Sequence, residues 1–187
     1  MRKIILFIAI FALFSPINSS AQSWLKNRTV GAVEVELGVG LATAANNISH
    51  FGKTRAGVDV NAEVRYNFSK VPVDLGLYFS LCTFKRGVQI GDTAKSYNFD
   101  SQNLLVTSDY NLFQGRLASL FVGAGAGVAW SSLTKDSSRY GFNFCVMPRV
   151  GVELSQHIRI TAAYKFYEKA NNHLVVSLGY AFGGGKR

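Results

Sequence analysis

Apolar residues alternate with polar or small residues through most of the chain after residue 28. Successive side chains of a β-strand point to opposite faces, so a period of two predicts strands with one apolar and one polar face. Eight segments carry this pattern, at about residues 29–41, 55–68, 71–83, 99–111, 118–130, 141–154, 158–167 and 174–182. The alternation therefore predicts an all-β protein with eight strands.

The first 21 residues have the features of a secretory signal peptide. Arg2 and Lys3 precede an apolar run of 11 residues, Ile4–Phe14, which Pro16 and Asn18 end, and the small residues Ser19 and Ala21 stand before the cleavage point. The alternative, a membrane-anchoring helix, needs about 20 apolar residues. We therefore expect export, with cleavage near Ala21, and a mature chain of residues 22–187.

Charged residues share one face of the predicted strands, and the opposite face is almost free of charge. A soluble β-sandwich, the alternative fold, turns its apolar faces inward and its charges to water. A barrel in a bilayer places polar residues inside and apolar residues against lipid. The charged face holds seven acidic and four basic residues: Glu34, Glu36, Asp59, Glu63, Arg65, Asp74, Asp109, Arg149, Glu153, Arg159 and Lys165.

Aromatic residues stand near the ends of the apolar face, as membrane interfaces favour. One group is Tyr66, Phe68, Tyr110, Tyr180 and Phe182, and the other is Phe79, Phe99, Trp130, Phe142 and Phe166. Backbone polar groups in lipid must all be paired, so a sheet in lipid must close on itself. We predict an eight-stranded antiparallel up-and-down transmembrane β-barrel over residues 22–187.

The connections between the segments alternate in length. Those after the second, fourth and sixth segments are short, whereas residues 42–54, 84–98 and 131–140 form longer polar connections. Short periplasmic turns and longer outer loops are typical of outer-membrane barrels. We therefore expect a periplasmic leader, 22–28, and a periplasmic tail, 183–187.

An eight-stranded barrel is only wide enough inside for side chains. The charged residues then form either a salt-bridged plug or a narrow channel gated by Arg149 and Glu63. A channel would favour cations, because acidic residues outnumber basic ones on this face. Cys82 and Cys145 also point inward, three strands apart. A disulfide needs Cα atoms within about 7 Å, and we expect the lumen to be wider than that, so we predict free thiols.

The mature chain is basic, since removal of Arg2 and Lys3 leaves 18 basic against 11 acidic residues, a net charge of +7. An exported chain rarely meets nucleic acid, so the charge favours the phosphates of lipopolysaccharide or an acidic surface as partners. The basic residues expected in outer loops are Lys53, Arg55, Lys85, Arg86, Lys95, Lys135, Arg139 and Lys169.

The chain resembles the small eight-stranded outer-membrane barrels of the OmpX and OmpA-transmembrane-domain type, and most of all a Bacteroidota outer-membrane β-barrel domain family. The resemblance covers the mature chain and is sharpest in the last segment. It implies the outer membrane of a Gram-negative bacterium, and a final strand that the barrel-assembly machinery reads. The residues that match this signal are Leu174, Val176, Leu178, Tyr180 and Phe182. Residues 183–187 depart from it, because the aromatic residue usually comes last.

These features favour a monomeric barrel with a structural or surface-interaction role. A narrow cation-favouring channel is the first alternative. A lipid A-modifying enzyme is the second, because His50 and His173 in neighbouring outer connections could approach each other beside Ser49 or Asp92. No spacing of nucleophile, base and orienting group supports that chemistry. We therefore predict no enzyme activity, no cofactor and no metal.

Overall fold

The computed structural model describes residues 33–44, 55–68, 71–90, 93–114, 118–133, 141–155, 157–167 and 172–183. The strands are β1 (Val33–Ala44), β2 (Arg55–Asn67), β3 (Val73–Ile90), β4 (Thr93–Gln114), β5 (Ala118–Leu133), β6 (Gly141–Leu154), β7 (Ile158–Lys165) and β8 (His173–Gly183). Each strand pairs antiparallel with the next, and β1 pairs with β8, so the sheet closes. The predicted eight-stranded barrel is confirmed. Within the described residues, no helix is long and apolar enough to cross a membrane.

Alternation along each strand separates an apolar outer surface from a polar interior. In β1, Val39 is 55% exposed whereas Glu36 is 5% exposed. The central strands repeat the arrangement, with Leu77 and Val106 exposed beside buried Tyr78 and Thr107. An apolar exterior on a closed sheet with charges inside is stable in lipid and not in water. The soluble-sandwich alternative is therefore wrong.

The hairpin of β3 and β4 is longer than the sequence predicts. The two strands stay paired up to Ile90 and Thr93, so the predicted connection 84–98 is wrong. Lys85, Arg86 and Lys95, predicted in this loop, belong to the strands. The backbone ladder continues beyond the apolar band, where neither face has to be apolar, so hydrophobic alternation no longer marks the strand. β5 likewise extends to Leu133.

The predicted positions of Phe99 and His173 are both wrong. Phe99 was predicted on the outer face, but it is 0% exposed and lies inside the barrel. His173, predicted in an outer connection, is the first residue of β8 and is also buried inside. The other aromatic residues of the two predicted groups lie on the outer surface, where Tyr110 and Trp130 are half-buried.

Several predictions fall outside the described residues. These are the signal peptide 1–21, the leader 22–28, positions 29–32 of the first predicted strand, most of the tail, Lys53, Lys135, Arg139, Lys169, His50, Ser49 and Asp92. The rim of the barrel is nevertheless defined on both sides by the strand ends. β1 begins and β8 ends at the rim that carries the short connections after β2, β4 and β6.

Candidate functional site in the barrel interior

Six charged side chains form a closed ring of ion pairs across the barrel interior, which we call the ion-pair ring. Three arginines alternate with three carboxylates, so the formal charges within it balance. The order around it is Arg65, Glu36, Arg159, Asp109, Arg149, Glu63 and back to Arg65. Its members come from β1, β2, β4, β6 and β7, so the ring connects most of the barrel wall.

Arg149 makes two bidentate contacts within the ring. Its Nη1 and Nη2 atoms donate to the Glu63 carboxylate at 2.7 and 2.6 Å. Its Nε and Nη2 atoms donate to the Asp109 carboxylate, both at 2.8 Å. Bidentate pairs between a guanidinium and a carboxylate are among the strongest hydrogen-bonded contacts in proteins. Arg149 is thus held from two walls at once.

Arg159 occupies the next position of the ring. Its Nη2 atom donates to Asp109 at 2.8 Å, and its Nη1 atom lies 3.6 Å from a Glu36 oxygen. The guanidinium also stacks over the ring of Phe121, with Cζ 3.7 Å from the ring centroid. The aromatic face adds a favourable cation–π contact where water is excluded.

Arg65 completes the ring. Its Nη1 atom donates to Glu36 at 2.5 Å and lies 3.9 Å from Glu63, and its Nη2 atom donates to Glu34 at 3.0 Å. Thr107 also donates a hydrogen bond to Glu63, at 2.6 Å. Gly76 leaves the space for this cluster, because a Cβ there would come within 2.5 Å of both a Glu63 oxygen and the Thr107 hydroxyl.

A second polar layer surrounds Lys165. Its ammonium donates to Asp59 and to Ser80, both at 2.7 Å, and lies 5.4 Å from the ring centroid of Tyr78. Lys165 and Asp59 are both 0% exposed. Unpaired buried charges are very costly, so the two groups stabilise each other's burial.

Aromatic side chains pack inside the barrel towards the rim opposite the short turns. Phe84 and Phe99 lie with ring centroids 4.7 Å apart, and His173 stacks on Tyr167 at 5.2 Å. The Tyr167 hydroxyl donates to the side-chain oxygen of Asn103. The sequence pattern did not predict this cluster, although the alternation along β4, in which odd-numbered positions point inward, places Phe99 inside the barrel.

The two cysteines contact the apolar part of this interior. Cys82 packs in a cluster with Phe84, Phe99 and Val175, and Cys145 packs in another with Leu105. Both thiols are free, as expected. Within the described residues, no group of three or more His, Cys, Asp or Glu side chains is placed to hold a metal ion.

The predicted interior charges all lie on the inner side of the wall. Nine are buried, whereas Asp74 and Glu153 are half-buried towards the rim with the short turns. Asp74 accepts a hydrogen bond from Asn111 at 2.7 Å. The charged residues meet in two layers, the ion-pair ring and the Lys165 layer, which the sequence did not separate.

The basic residues that were expected in outer loops lie on strands wherever the structure describes them. Arg55 and Lys85 are exposed on strands β2 and β3 and do not lie in loops, and the positions of Arg86 and Lys95 are also in strands. The predicted assembly signal occupies the outward positions of β8, all of them exposed: Leu174, Val176, Leu178, Tyr180 and Phe182. These positions contact the medium around the barrel.

The closed sheet, apolar exterior and charged interior define a small transmembrane β-barrel of the outer-membrane type. Solved structures of such barrels are similar to this chain. Neisserial surface protein A is 12% identical, with 83% of this chain and 99% of that chain covered and a TM-score of 0.59. OprG from Pseudomonas aeruginosa is 10% identical, with 82% and 97% covered and a TM-score of 0.50.

The outer-membrane enzyme PagL is 16% identical, with 80% and 98% covered and a TM-score of 0.45. At such identities the likeness shows the fold alone, and one fold hosts many functions. No protein-family profile matches the chain, and a search of curated proteins finds no match either. The resemblance to small eight-stranded outer-membrane barrels is confirmed, and the narrower likeness to a Bacteroidota family stays a prediction.

Proposed function

We propose that this protein is an integral outer-membrane barrel with a structural or surface-interaction role and a lumen plugged by its own side chains. The ion-pair ring is the observation that carries this proposal. Its arginines are at most 5% exposed and its carboxylates at most 5%. A water-filled channel would expose these side chains to solvent along the lumen.

The proposal includes the placement of the protein in its membrane. The chain is exported with cleavage near Ala21 and inserted by the barrel-assembly machinery, which reads the outward residues of β8. It sits as a monomer in the outer membrane of a Gram-negative bacterium, where its basic outer rim contacts lipopolysaccharide. Intact mass measurement of protein purified from membranes tests the cleavage, because a start at Gln22 gives a distinct mass.

A narrow cation-favouring channel is the alternative function. An open channel would require Arg149 to move away from Glu63 or Asp109. That movement would leave a buried carboxylate without its cation, which is energetically costly. A lipid A-modifying enzyme is a weaker alternative, because His173 lies in the interior among aromatic rings and not at the outer surface. The mass of lipid A from cells that express the protein tests this alternative directly.

Two permeability measurements on cells with and without the gene separate the structural role from the channel. A structural role predicts that loss of the protein raises uptake of a hydrophobic dye, because the outer membrane becomes less tightly organised. A channel predicts that loss lowers uptake of a small hydrophilic solute. Unchanged dye uptake together with lower solute uptake would overturn the proposed function.

A further inference from the structure

A β-bulge at the start of β2 turns Arg55 towards the outer surface. Val58 pairs with Thr83 but Arg55 pairs with Lys85, so two residues of β2 oppose one residue of β3. Without the bulge, Arg55 would keep the inward phase that Asp59 and Glu63 follow. Bulges commonly redirect a side chain in this way.

The bulge brings two cations to adjacent positions. Arg55 and Lys85 are directly paired across the strands and both are exposed. Like charges directly opposite each other destabilise a sheet. Among the ion pairs and hydrogen bonds of the described residues, none involves either side chain. Arg55 and Lys85 therefore form a pair of adjacent cations that is not neutralised by an ion pair within the described residues, and an anion binds favourably at such a place.

Glycine permits the close strand approach at this bulge. A Cβ on Gly57 would overlap the carbonyl oxygen of Thr83 and the backbone of Phe84. The bulge is therefore built into the sequence at this position. Beside it lies a groove of about 360 Å³ that Arg55, Lys85 and Asn98 line with Val58 and Thr83.

The outer surface next to Arg55 and Lys85 carries first hydrogen-bond acceptors and then apolar residues, which suit the sugar and the acyl chains of a glycolipid. A neighbouring groove of about 290 Å³ is lined by Asp100 and Gln102, and by the apolar Val58, Val60 and Leu81. Carboxylate and amide groups accept hydrogen bonds from sugar hydroxyls. The apolar residues continue into the exposed band that faces lipid. Cations, hydrogen-bond acceptors and apolar residues thus follow each other down one wall.

We propose that Arg55 and Lys85 bind a phosphate of the lipid A part of lipopolysaccharide in the outer leaflet. This inference rests on the proposed function, because it requires the rim opposite the short turns to face outward. The guanidinium and the ammonium donate charge-assisted hydrogen bonds to the phosphate oxygens. Asp100 and Gln102 then meet the sugar, and the acyl chains lie on Val60 and Leu81.

The test measures the binding of purified lipid A to the refolded mature chain in neutral detergent. The probes are bisphosphoryl lipid A, the same lipid after enzymatic removal of both phosphates, and inorganic phosphate. The variant is Arg55→Gln with Lys85→Gln. The matched control is Lys186→Gln with Arg187→Gln, which removes the same charge from positions that follow the end of β8 in the sequence.

The wild type is expected to bind bisphosphoryl lipid A about tenfold more tightly than the dephosphorylated lipid. The Arg55 and Lys85 double variant loses that preference, and the control retains it. The charge-conserving variant Arg55→Lys with Lys85→Arg keeps most of the preference for bisphosphoryl lipid A. This result would show that the glutamine variant lost the preference because it lost the charges and not because it failed to fold. Heat-dependent gel mobility checks that every variant has refolded.

Equal binding of both lipids, or an unchanged preference in the double variant, would overturn the proposal. Full competition by millimolar inorganic phosphate would also overturn it, since the site would then recognise a free anion and not the lipid. Failure here is distinguishable from failure of the proposed function. A structural barrel that conducts no ions does not need this lipid site, and a conducting barrel can still bind lipid A.

Discussion

Arg149 on β6 donates hydrogen bonds to Glu63 on β2 at 2.7 and 2.6 Å, although these strands stand opposite each other in the barrel. Three strands separate β2 from β6 in either direction around the wall. The contact therefore spans the interior. Asp109 and Arg159 extend it sideways, so the ion-pair ring divides the space above it from the space below.

Removal of Arg149 should destabilise the barrel strongly. Arg149→Met leaves Glu63 and Asp109 buried without their shared cation, and the expected cost is about 3–5 kcal/mol. The free energy of unfolding is measured by urea titration of the refolded protein in lipid vesicles. Lys186→Gln, at a position after the end of β8, is the control and should change it by less than about 0.5 kcal/mol. A loss below about 1 kcal/mol for Arg149→Met would contradict the importance of the ring.

The pair of Lys165 and Asp59 should be strongly coupled. Lys165→Met and Asp59→Asn each leave one polar partner buried alone, whereas the double variant removes both charges. The double variant should therefore be more stable than the sum of the single losses predicts, by at least about 1 kcal/mol. A double-mutant cycle on the same unfolding measurement gives this coupling. Additive losses would show that the two groups act independently.

Both thiols should be protected in the folded barrel. Cys82 is 4% and Cys145 is 0% exposed, so we expect that a water-soluble maleimide does not reach either sulfur. Folded protein in detergent is expected to take up no label, and protein unfolded in denaturant should take up two, counted by intact mass. Labelling of either cysteine in the folded state would show that water enters the interior.

A charge introduced on the outer surface should lower the free energy of unfolding more at the middle of the membrane than near the rim. Leu178 pairs with Val39 and Ile160 near the middle of β8, whereas Phe182 lies one residue from the end of the strand. Leu178→Arg should lower the free energy of unfolding in vesicles by about 2–4 kcal/mol, and Phe182→Arg by about 0–1 kcal/mol. Equal costs at both positions would contradict a lipid-facing band along β8.

Sequence alternation was sufficient to assign faces because a strand repeats every two residues and an error of one position inverts every side chain. The same rule corrects Phe99, since Leu104 and Val106 point outward on β4 and odd-numbered positions therefore point inward. Alternation could not give the length of the β3–β4 hairpin. Beyond the membrane neither face is constrained by lipid, so the pattern fades while the backbone pairing continues.

The partners within the interior could not be predicted from the sequence. Arg149 and Glu63 are 86 positions apart, and the meeting of opposite walls depends on strand tilt and stagger, which residue patterns do not encode. The same applies to Lys165 and Asp59. The alternation pattern predicted an acid-rich interior, but only the register of all eight strands separates it into the ion-pair ring and the Lys165 layer.

Ion conductance of the refolded mature chain in planar lipid bilayers tests the central claim, that its own side chains close the lumen. Insertion is verified beforehand by heat-dependent gel mobility, so that absence of current reports on the lumen. We predict no steady current for the wild type, because Arg149 and Glu63 join opposite walls. Steady, cation-selective current steps from the wild type would contradict the plugged lumen and identify the protein as a small channel.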